Sequence, residues 1–109
     1  MRQMESFEFP LARQWVHSFE EDSGDLTTYR PSDYQFPPAR GRAGIEFHAD
    51  GTFTERQIGP ADAPVEVRGH WQYQGSGLIR VSFDDPGRPE RMFEIVECTD
   101  QRLQLRRRS

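Results

Sequence analysis

A chain of 109 residues is long enough for one domain with a single hydrophobic core. Its 14 cationic side chains are all arginine and are outnumbered by 18 acidic ones, so the formal net charge is -4 and no global positive field would attract nucleic acid or an anionic membrane. The absence of lysine excludes Schiff-base chemistry on a side-chain amine.

The first elements in chain order are an N-terminal arm and a strand. Residues 1–11 alternate only weakly between polar and apolar side chains, which predicts an arm in front of the folded domain. The segment Arg13–Glu20 alternates clearly, with Trp15, His17 and Phe19 on one face. Aromatic side chains favour the protein interior, so we expect this face to point inward.

The segment at 20–42 breaks the alternation and predicts a long loop after the first strand. Four apolar and aromatic side chains argue against disorder in this loop: Leu26, Tyr29, Tyr34 and Phe36. Ordered loops of such length are usually lids or binding loops, so we expect the segment to pack over the rest of the fold.

A β-hairpin follows at Ala43–Ile58, because two alternating runs meet at Asp50 and Gly51, a dipeptide that takes the positive φ angles of a tight turn. Further alternating runs predict four more strands: Val65–Gln74, Leu78–Phe83, Met92–Cys98 and Arg102–Arg108. Short turns join all the strands after residue 43. No stretch of the sequence predicts an amphipathic helix.

Sequential antiparallel strands with one apolar face form a meander, and a meander removes its exposed edges by closing into a barrel. We therefore predict an all-β fold, an antiparallel up-and-down β-barrel of seven to eight strands that forms one domain at 12–109. The expected inward face is rich in aromatic residues: Trp15, Phe19, Phe47, Phe53, Trp71, Tyr73, Phe83 and Phe93. A barrel of this size is either filled by its side chains or holds one small ligand.

Several short motifs give the chain a resemblance to the lipocalin-like (calycin) group. They are Trp15 in the first strand, Asp-Gly-Thr-Phe at 50–53, Gly-His-Trp at 69–71 and arginines on the last strand. The resemblance implies an eight-stranded up-and-down barrel, closed at one end, that holds a small apolar ligand. Some barrels of the group are cyclases or isomerases that act on a bound hydrophobic substrate. The glycine that usually stands two positions before the first-strand tryptophan is Arg13 here.

Two polar residues at inward positions form the candidate catalytic pair. His17 and Glu55 would both face a largely apolar interior, where an unpaired polar group is costly, so they should meet each other, water or a ligand. Inside a cavity the two could act as general acid and base. The alternative is that both side chains lie at solvent-exposed strand ends and have no catalytic role. The outward parity of His48 and His70 argues against a metal site shared by all three histidines.

The expected ligand-binding residues lie in the barrel interior and in the loop at 20–42. The interior candidates are Trp15, Phe53, Gln57, Trp71 and Tyr73, and the loop candidates are Tyr29, Arg30, Tyr34, Arg40 and Arg42. Guanidinium groups at the mouth could clamp a carboxylate or phosphate of an otherwise apolar ligand. The alternative is that these arginines pair with acidic residues of the same segment.

Three functions stay open on these observations. The first is binding of a small hydrophobic ligand, and the second is cyclase or isomerase activity inside the barrel. The third is a filled barrel that acts through its surface and forms a homodimer through Tyr34 and Phe36. No cofactor or metal is expected, because Cys98 is the single cysteine and no metal-binding spacing occurs. Without an apolar signal region or a membrane-spanning run, we expect a cytoplasmic protein whose partner is a small molecule, not nucleic acid or a membrane.

Overall fold

The computed structural model describes residues 11–39, 41–58 and 64–108, with Pro64 described by its backbone alone. Within these ranges the elements are β1 (Gln14–His17), a 3₁₀ helix (Phe19–Glu21), β2 (Leu26–Pro31), β3 (Gly44–Phe47), β4 (Thr52–Ile58), β5 (Pro64–Gly75), β6 (Leu78–Phe83), β7 (Arg91–Cys98) and β8 (Leu103–Arg107). Most of the predicted N-terminal arm, residues 1–10, lies outside these ranges. In the described part of the chain, no helix has the length and apolar character needed to span a membrane.

The strands close into an antiparallel barrel in the order β1-β2-β8-β7-β6-β5-β4-β3. The predicted all-β barrel is confirmed, and β3 to β8 follow one another as an up-and-down meander. The first two strands depart from the predicted up-and-down order, because β1 lies between β2 and β3 while β2 pairs with β8. The connection from β2 to β3, residues 32–43, therefore crosses β1.

The prediction of one long loop at 20–42 is wrong, because β2 lies inside it. Alternation does not reveal this strand, since neither of its faces is uniformly apolar. Thr28 lies on the outward face of β2, yet it is fully buried beneath the 3₁₀ helix. Its hydroxyl donates to the carbonyl oxygen of Glu21 at 3.1 Å, and its backbone N–H donates to Asp22 Oδ1 at 2.8 Å. Local hydrogen bonds thus replace the apolar contacts that would have marked the strand.

The first strand is shorter than predicted and ends at His17. Ser18 starts the 3₁₀ helix, with its carbonyl oxygen accepting the Glu21 N–H at 2.9 Å and its hydroxyl donating to Glu21 Oε2 at 2.7 Å. The Ser-x-x-Glu spacing is a known helix-start signal. Phe19 leaves the inward face as a result, and 48% of its surface is exposed.

The predicted hairpin at 43–58 is confirmed as β3 and β4. Gly51 has a φ of 93° in the turn, as the Asp-Gly pair predicts. Asp50 keeps a negative φ and supports the turn through its side chain, since Oδ1 accepts the Thr52 N–H at 3.0 Å and the Thr52 hydroxyl at 2.7 Å.

One end of the barrel is closed by packed side chains. The core of the barrel consists of Leu11, Trp15, Ile45, Phe47, Phe53, Ile79, Val81, Phe93, Ile95, Leu103 and Leu105. At the closed end, Trp15 Nε1 donates to the Leu11 carbonyl oxygen at 3.0 Å and Trp71 Nε1 donates to the His48 carbonyl oxygen at 2.9 Å. At the opposite end, which we call the open end, Val65 is 42% exposed although its position faces inward.

Candidate ligand-binding site

Polar side chains collect at the open end of the barrel, inside an interior that is apolar elsewhere. Strand register places His17 beside Tyr29 on neighbouring strands, and it places Glu55 and Arg91 on the inward faces of β4 and β7. The side chains of His17, Glu55 and Arg91 are 26%, 17% and 18% exposed, so water reaches this cluster only in part. Apolar walls are supplied by Val67, Phe83 and Phe93, which also face inward here.

His17 is oriented by Asp22, from the connection between β1 and β2. Its Nε2 lies 2.9 Å from Asp22 Oδ2, so Nε2 is the nitrogen that carries a proton toward the carboxylate. The other oxygen of Asp22 accepts the Thr28 N–H, which ties the carboxylate to β2. The imidazole is therefore held in one orientation at the rim of the open end.

Tyr29 stands next to His17, with the two ring centroids 5.5 Å apart. The phenol is partly buried against the core. Desolvation, together with the negative charges of Glu55 and Asp22, raises the pKa of Tyr29 far above its usual range, although Arg91 opposes the shift. Tyr29 is therefore a neutral phenol at every physiological pH and can donate a hydrogen bond to a ligand.

Glu55 pairs with Arg91, across from His17. Arg91 Nη1 lies 3.1 Å from Glu55 Oε2 and 3.3 Å from Oε1, and the two side chains are similarly buried. The expected meeting of His17 with Glu55 does not occur by direct hydrogen bonding, because each has another partner: Asp22 for His17 and Arg91 for Glu55. Their proposed acid and base roles stay a prediction.

Two arginines of this cluster are absent from the residues singled out in the sequence. The guanidinium carbons of Arg88 and Arg91 lie 5.6 Å and 5.1 Å from the centroid of the Phe83 ring. Arg88 Nε is buried and has no hydrogen-bond partner in the described part of the chain. Arg91 could have been found by extending the alternation of β7 back by two residues from Phe93. No sequence signal marks Arg88, which follows the turn at 84–87.

The predicted interior ligand residues are distributed between the two ends. Trp15 and Phe53 are fully buried in the core, and Trp71 and Tyr73 pack against it toward the closed end. The Tyr73 hydroxyl accepts the Gly77 N–H at 2.9 Å. Gln57 lies on the inward face of β4 near the open end, paired in register with Val65. Gln57 and Tyr29 are thus the predicted ligand residues that the fold places beside the polar cluster.

The other loop candidates lie on the outside of the barrel in one continuous stack. The Arg42 guanidinium carbon is 4.6 Å from the ring centroids of both Phe19 and Phe36, the Phe36 ring is 4.9 Å from that of Tyr34, and Arg30 lies 4.6 Å from the Tyr34 ring. This stack fastens the crossing connection to β1 and β2. Arg40 lies outside the described ranges.

The carboxylates that neutralise this outer stack come from the 3₁₀ helix. Glu20 accepts hydrogen bonds from Arg42 at 2.9 Å and 2.6 Å, and Glu21 accepts them from Arg30 at 2.9 Å and 2.7 Å. Both pairs are bidentate, with two hydrogen bonds each, which is the geometry that suits guanidinium and carboxylate. Arg30 and Arg42 therefore pair with acidic residues of their own segment, which was the alternative to binding a ligand anion. Neither guanidinium is free to bind an anion.

A concave region of about 450 Å³ lies on the outer face of β3, β4 and β5, away from this cluster. It is lined mainly by charged and polar residues: Glu46, His48, Thr52, Phe53, Thr54, Arg56, Glu66, Arg68, Gly69, His70 and Asp84. His48 and His70 lie outside the barrel, as their parity predicts, with acidic neighbours Glu46 at 3.6 Å and Asp84 at 3.5 Å. The described residues contain no group of three or more His, Cys, Asp or Glu that could hold a metal ion.

Cys98 lies on the inward face of β7 near the closed end, where it packs against the core. Burial raises the pKa of its thiol to about 11, although Arg13 partly opposes the shift. The thiol is therefore protonated and unreactive at neutral pH, and Cys98 is a packing residue.

A closed eight-stranded antiparallel barrel defines the class of this protein: its fold is lipocalin-like. In particular, the chain is similar to the crystal structure of a lipocalin-like protein from Bacteroides uniformis ATCC 8492, with a TM-score of 0.52, 13% sequence identity, and coverage of 90% of this chain and 96% of that one. Identity at that level concerns the fold alone. No family model and no curated protein matches the sequence.

Proposed function

We propose that the barrel binds a small, partly apolar molecule at its open end, with a polar group of the ligand among His17, Tyr29 and Arg91. The observation that carries the proposal is the polar cluster itself. Polar groups in an apolar interior are normally satisfied within the protein or by a ligand, and these side chains face inward and are only partly exposed.

The packed core limits the size of such a ligand. Trp15, Phe47 and Phe53 are at most 1% exposed and fill the half of the barrel next to the closed end. A ligand would therefore occupy the open half, against Val67, Phe83 and Phe93. A chain of about eight carbons matches this arrangement better than a long lipid, since a barrel of eight strands has room for only one small ligand.

The test is a titration of ¹⁵N-labelled protein with octan-1-ol, followed by NMR. We expect concentration-dependent shifts of the Tyr29, Val67 and Phe83 amides, which lie around the open end. Amides of the outer groove, such as those of Thr54 and Arg68, should stay unchanged. Shifts confined to the outer groove, or no saturable shifts at all, would contradict the proposal.

A matched pair of variants checks the role of the phenol. Tyr29→Phe removes the neutral donor and should weaken octan-1-ol binding about fivefold, since a neutral hydrogen bond contributes about 1 kcal/mol. Tyr34→Phe makes the same chemical change in the outer stack and should leave the affinity unaltered. Equal effects of the two variants would argue against a ligand at the open end.

A further inference from the structure

We propose that Arg88 and Arg91 form an anion-binding subsite at the rim of the open end, which selects ligands that carry a carboxylate or another oxyanion. The inference deepens the proposed function and rests on it, because the subsite belongs to the same ligand site. It moves the expected anion contact from the outer arginines, Arg30 and Arg42, to a pair that lies inside the cluster.

The first argument is the balance of charge around Phe83. Two guanidiniums lie 5.6 Å and 5.1 Å from the centroid of this one ring. Glu55 compensates Arg91 at 3.1 Å, whereas no carboxylate in the described part of the chain pairs with Arg88. Two nearby cations with one anion in a partly desolvated place leave one positive charge uncompensated. A ligand oxyanion would balance it.

The second argument is the buried Nε of Arg88, which has no acceptor in the described part of the chain. A buried donor without a partner is unfavourable, and a bound oxyanion would supply this guanidinium with an acceptor. Its backbone is well anchored, since the Arg88 N–H donates to the Asp85 carbonyl oxygen at 3.0 Å. The side chain, and not the loop, would adjust to a bound oxyanion.

The third argument is the position of the subsite relative to the apolar walls. Phe83 and Arg91 face inward on neighbouring strands, next to Val67 and Phe93. An amphipathic ligand can therefore place its chain against these walls while its acidic group meets Arg88 at the rim. The chemical class that fits is a short amphiphile with a single oxyanion, for which octanoate is a suitable probe.

The experiment compares octanoate with octan-1-ol, which have the same chain length and differ in charge. Dissociation constants are measured by calorimetry for the wild-type protein, for Arg88→Gln and for the control Arg80→Gln. Arg80 lies on the outward face of β6, 45% exposed and 3.9 Å from Glu90, so its replacement removes a positive charge away from the site.

We expect the wild-type protein to bind octanoate about tenfold more tightly than octan-1-ol, as one charge-assisted hydrogen bond would give. Arg88→Gln should abolish this preference, whereas Arg80→Gln should keep it. Added salt should weaken the binding of octanoate but not that of octan-1-ol.

Each contrary outcome points to a different error. Equal affinity of the wild-type protein for the two probes would overturn the anion subsite and leave the proposed function standing. A preference for octanoate that survives in Arg88→Gln would overturn the assignment to Arg88. Binding of neither probe would overturn the proposed function and the subsite together.

Discussion

Single residues of the 3₁₀ helix anchor several parts of the structure at once, and Glu21 is the clearest case. Its carboxylate accepts hydrogen bonds from Arg30 at 2.9 Å and 2.7 Å and from the Ser18 hydroxyl at 2.7 Å. The hydrogen bonds of Arg30, followed by that of Ser18, lower the pKa of Glu21 from 4.5 to about 2, although partial burial opposes the shift.

The depressed pKa of Glu21 predicts acid-dependent stability. A carboxyl whose pKa is lower in the folded state contributes stability above its unfolded pKa of 4.5 and loses it as the pH falls toward about 2. We expect Glu21→Gln to lower the free energy of unfolding by about 1 to 2 kcal/mol at pH 7, a value reduced for solvent screening. The difference from wild type should shrink below pH 4.5 and vanish near pH 2.

Denaturant unfolding at a series of pH values measures this effect. Glu66→Gln is the matched control, because Glu66 also pairs with an arginine, Arg56 at 3.0 Å, but on the exposed outer face. Its effect should be smaller at every pH. A gap between Glu21→Gln and wild type that stays constant down to the lowest pH would show that the loss has another origin.

Among the strands, β5 contains a point of close backbone contact at Gly69. A Cβ atom at this position would lie 2.1 Å from the carbonyl oxygen of Ser82 and 2.9 Å from the Cα of Phe83. Gly69 pairs in register with Phe83, whose inward-facing ring lies next to the guanidinium groups of Arg88 and Arg91. The missing side chain therefore lets β5 and β6 approach each other where the open end is built.

We expect Gly69→Ala to lower the free energy of unfolding by about 1 to 3 kcal/mol, because backbone atoms must move to admit the methyl group. Gly87→Ala, in the turn before Arg88, is the control. A Cβ there would lie 3.5 Å from Asp85 Oδ1, which is ordinary contact. Urea midpoints of the two variants give the comparison, and equal midpoints would contradict the argument.

For the whole molecule, the closure of the barrel depends on β1, the strand with the shortest ladders. β1 registers with β2 and with β3 over three residues each, whereas β4 and β5 register over seven. Short ladders open more easily, since fewer hydrogen bonds and side-chain contacts must break together. The two seams that flank β1 are therefore the weakest in the sheet.

Hydrogen exchange tests this difference in local stability. We expect amides of Gln14–His17 to exchange at least about tenfold faster than those of Thr52–Ile58 that are bonded to β5, at a pH where exchange reports opening. Arg42→Ala, which removes the centre of the outer stack, should widen the difference by releasing the crossing connection. Equal protection of β1 and β4 would show that the barrel opens only as one unit.

The two parts of the sheet differ in how far they were predictable. Strands β3 to β8 alternate between an apolar and a polar face, and each was located from this pattern to within a few residues. Strand β2 has polar side chains on both faces, and its buried Thr28 depends on hydrogen bonds from the 3₁₀ helix, so alternation could not reveal it. The inward positions of His17 and Glu55 were predicted from strand alternation. The position of Arg88 depends instead on the conformation of the turn at 84–87.

The sequence by itself determined the all-β class, most of the strands and most of the inward core residues, because these depend on the alternation of neighbouring side chains. Only the tertiary structure decided which strands adjoin β1, which end of the barrel is open and which charges meet there. Arg91 and Glu55 are 36 positions apart in the chain. Their contact depends on the closure of the whole barrel, and no local pattern of residues encodes it.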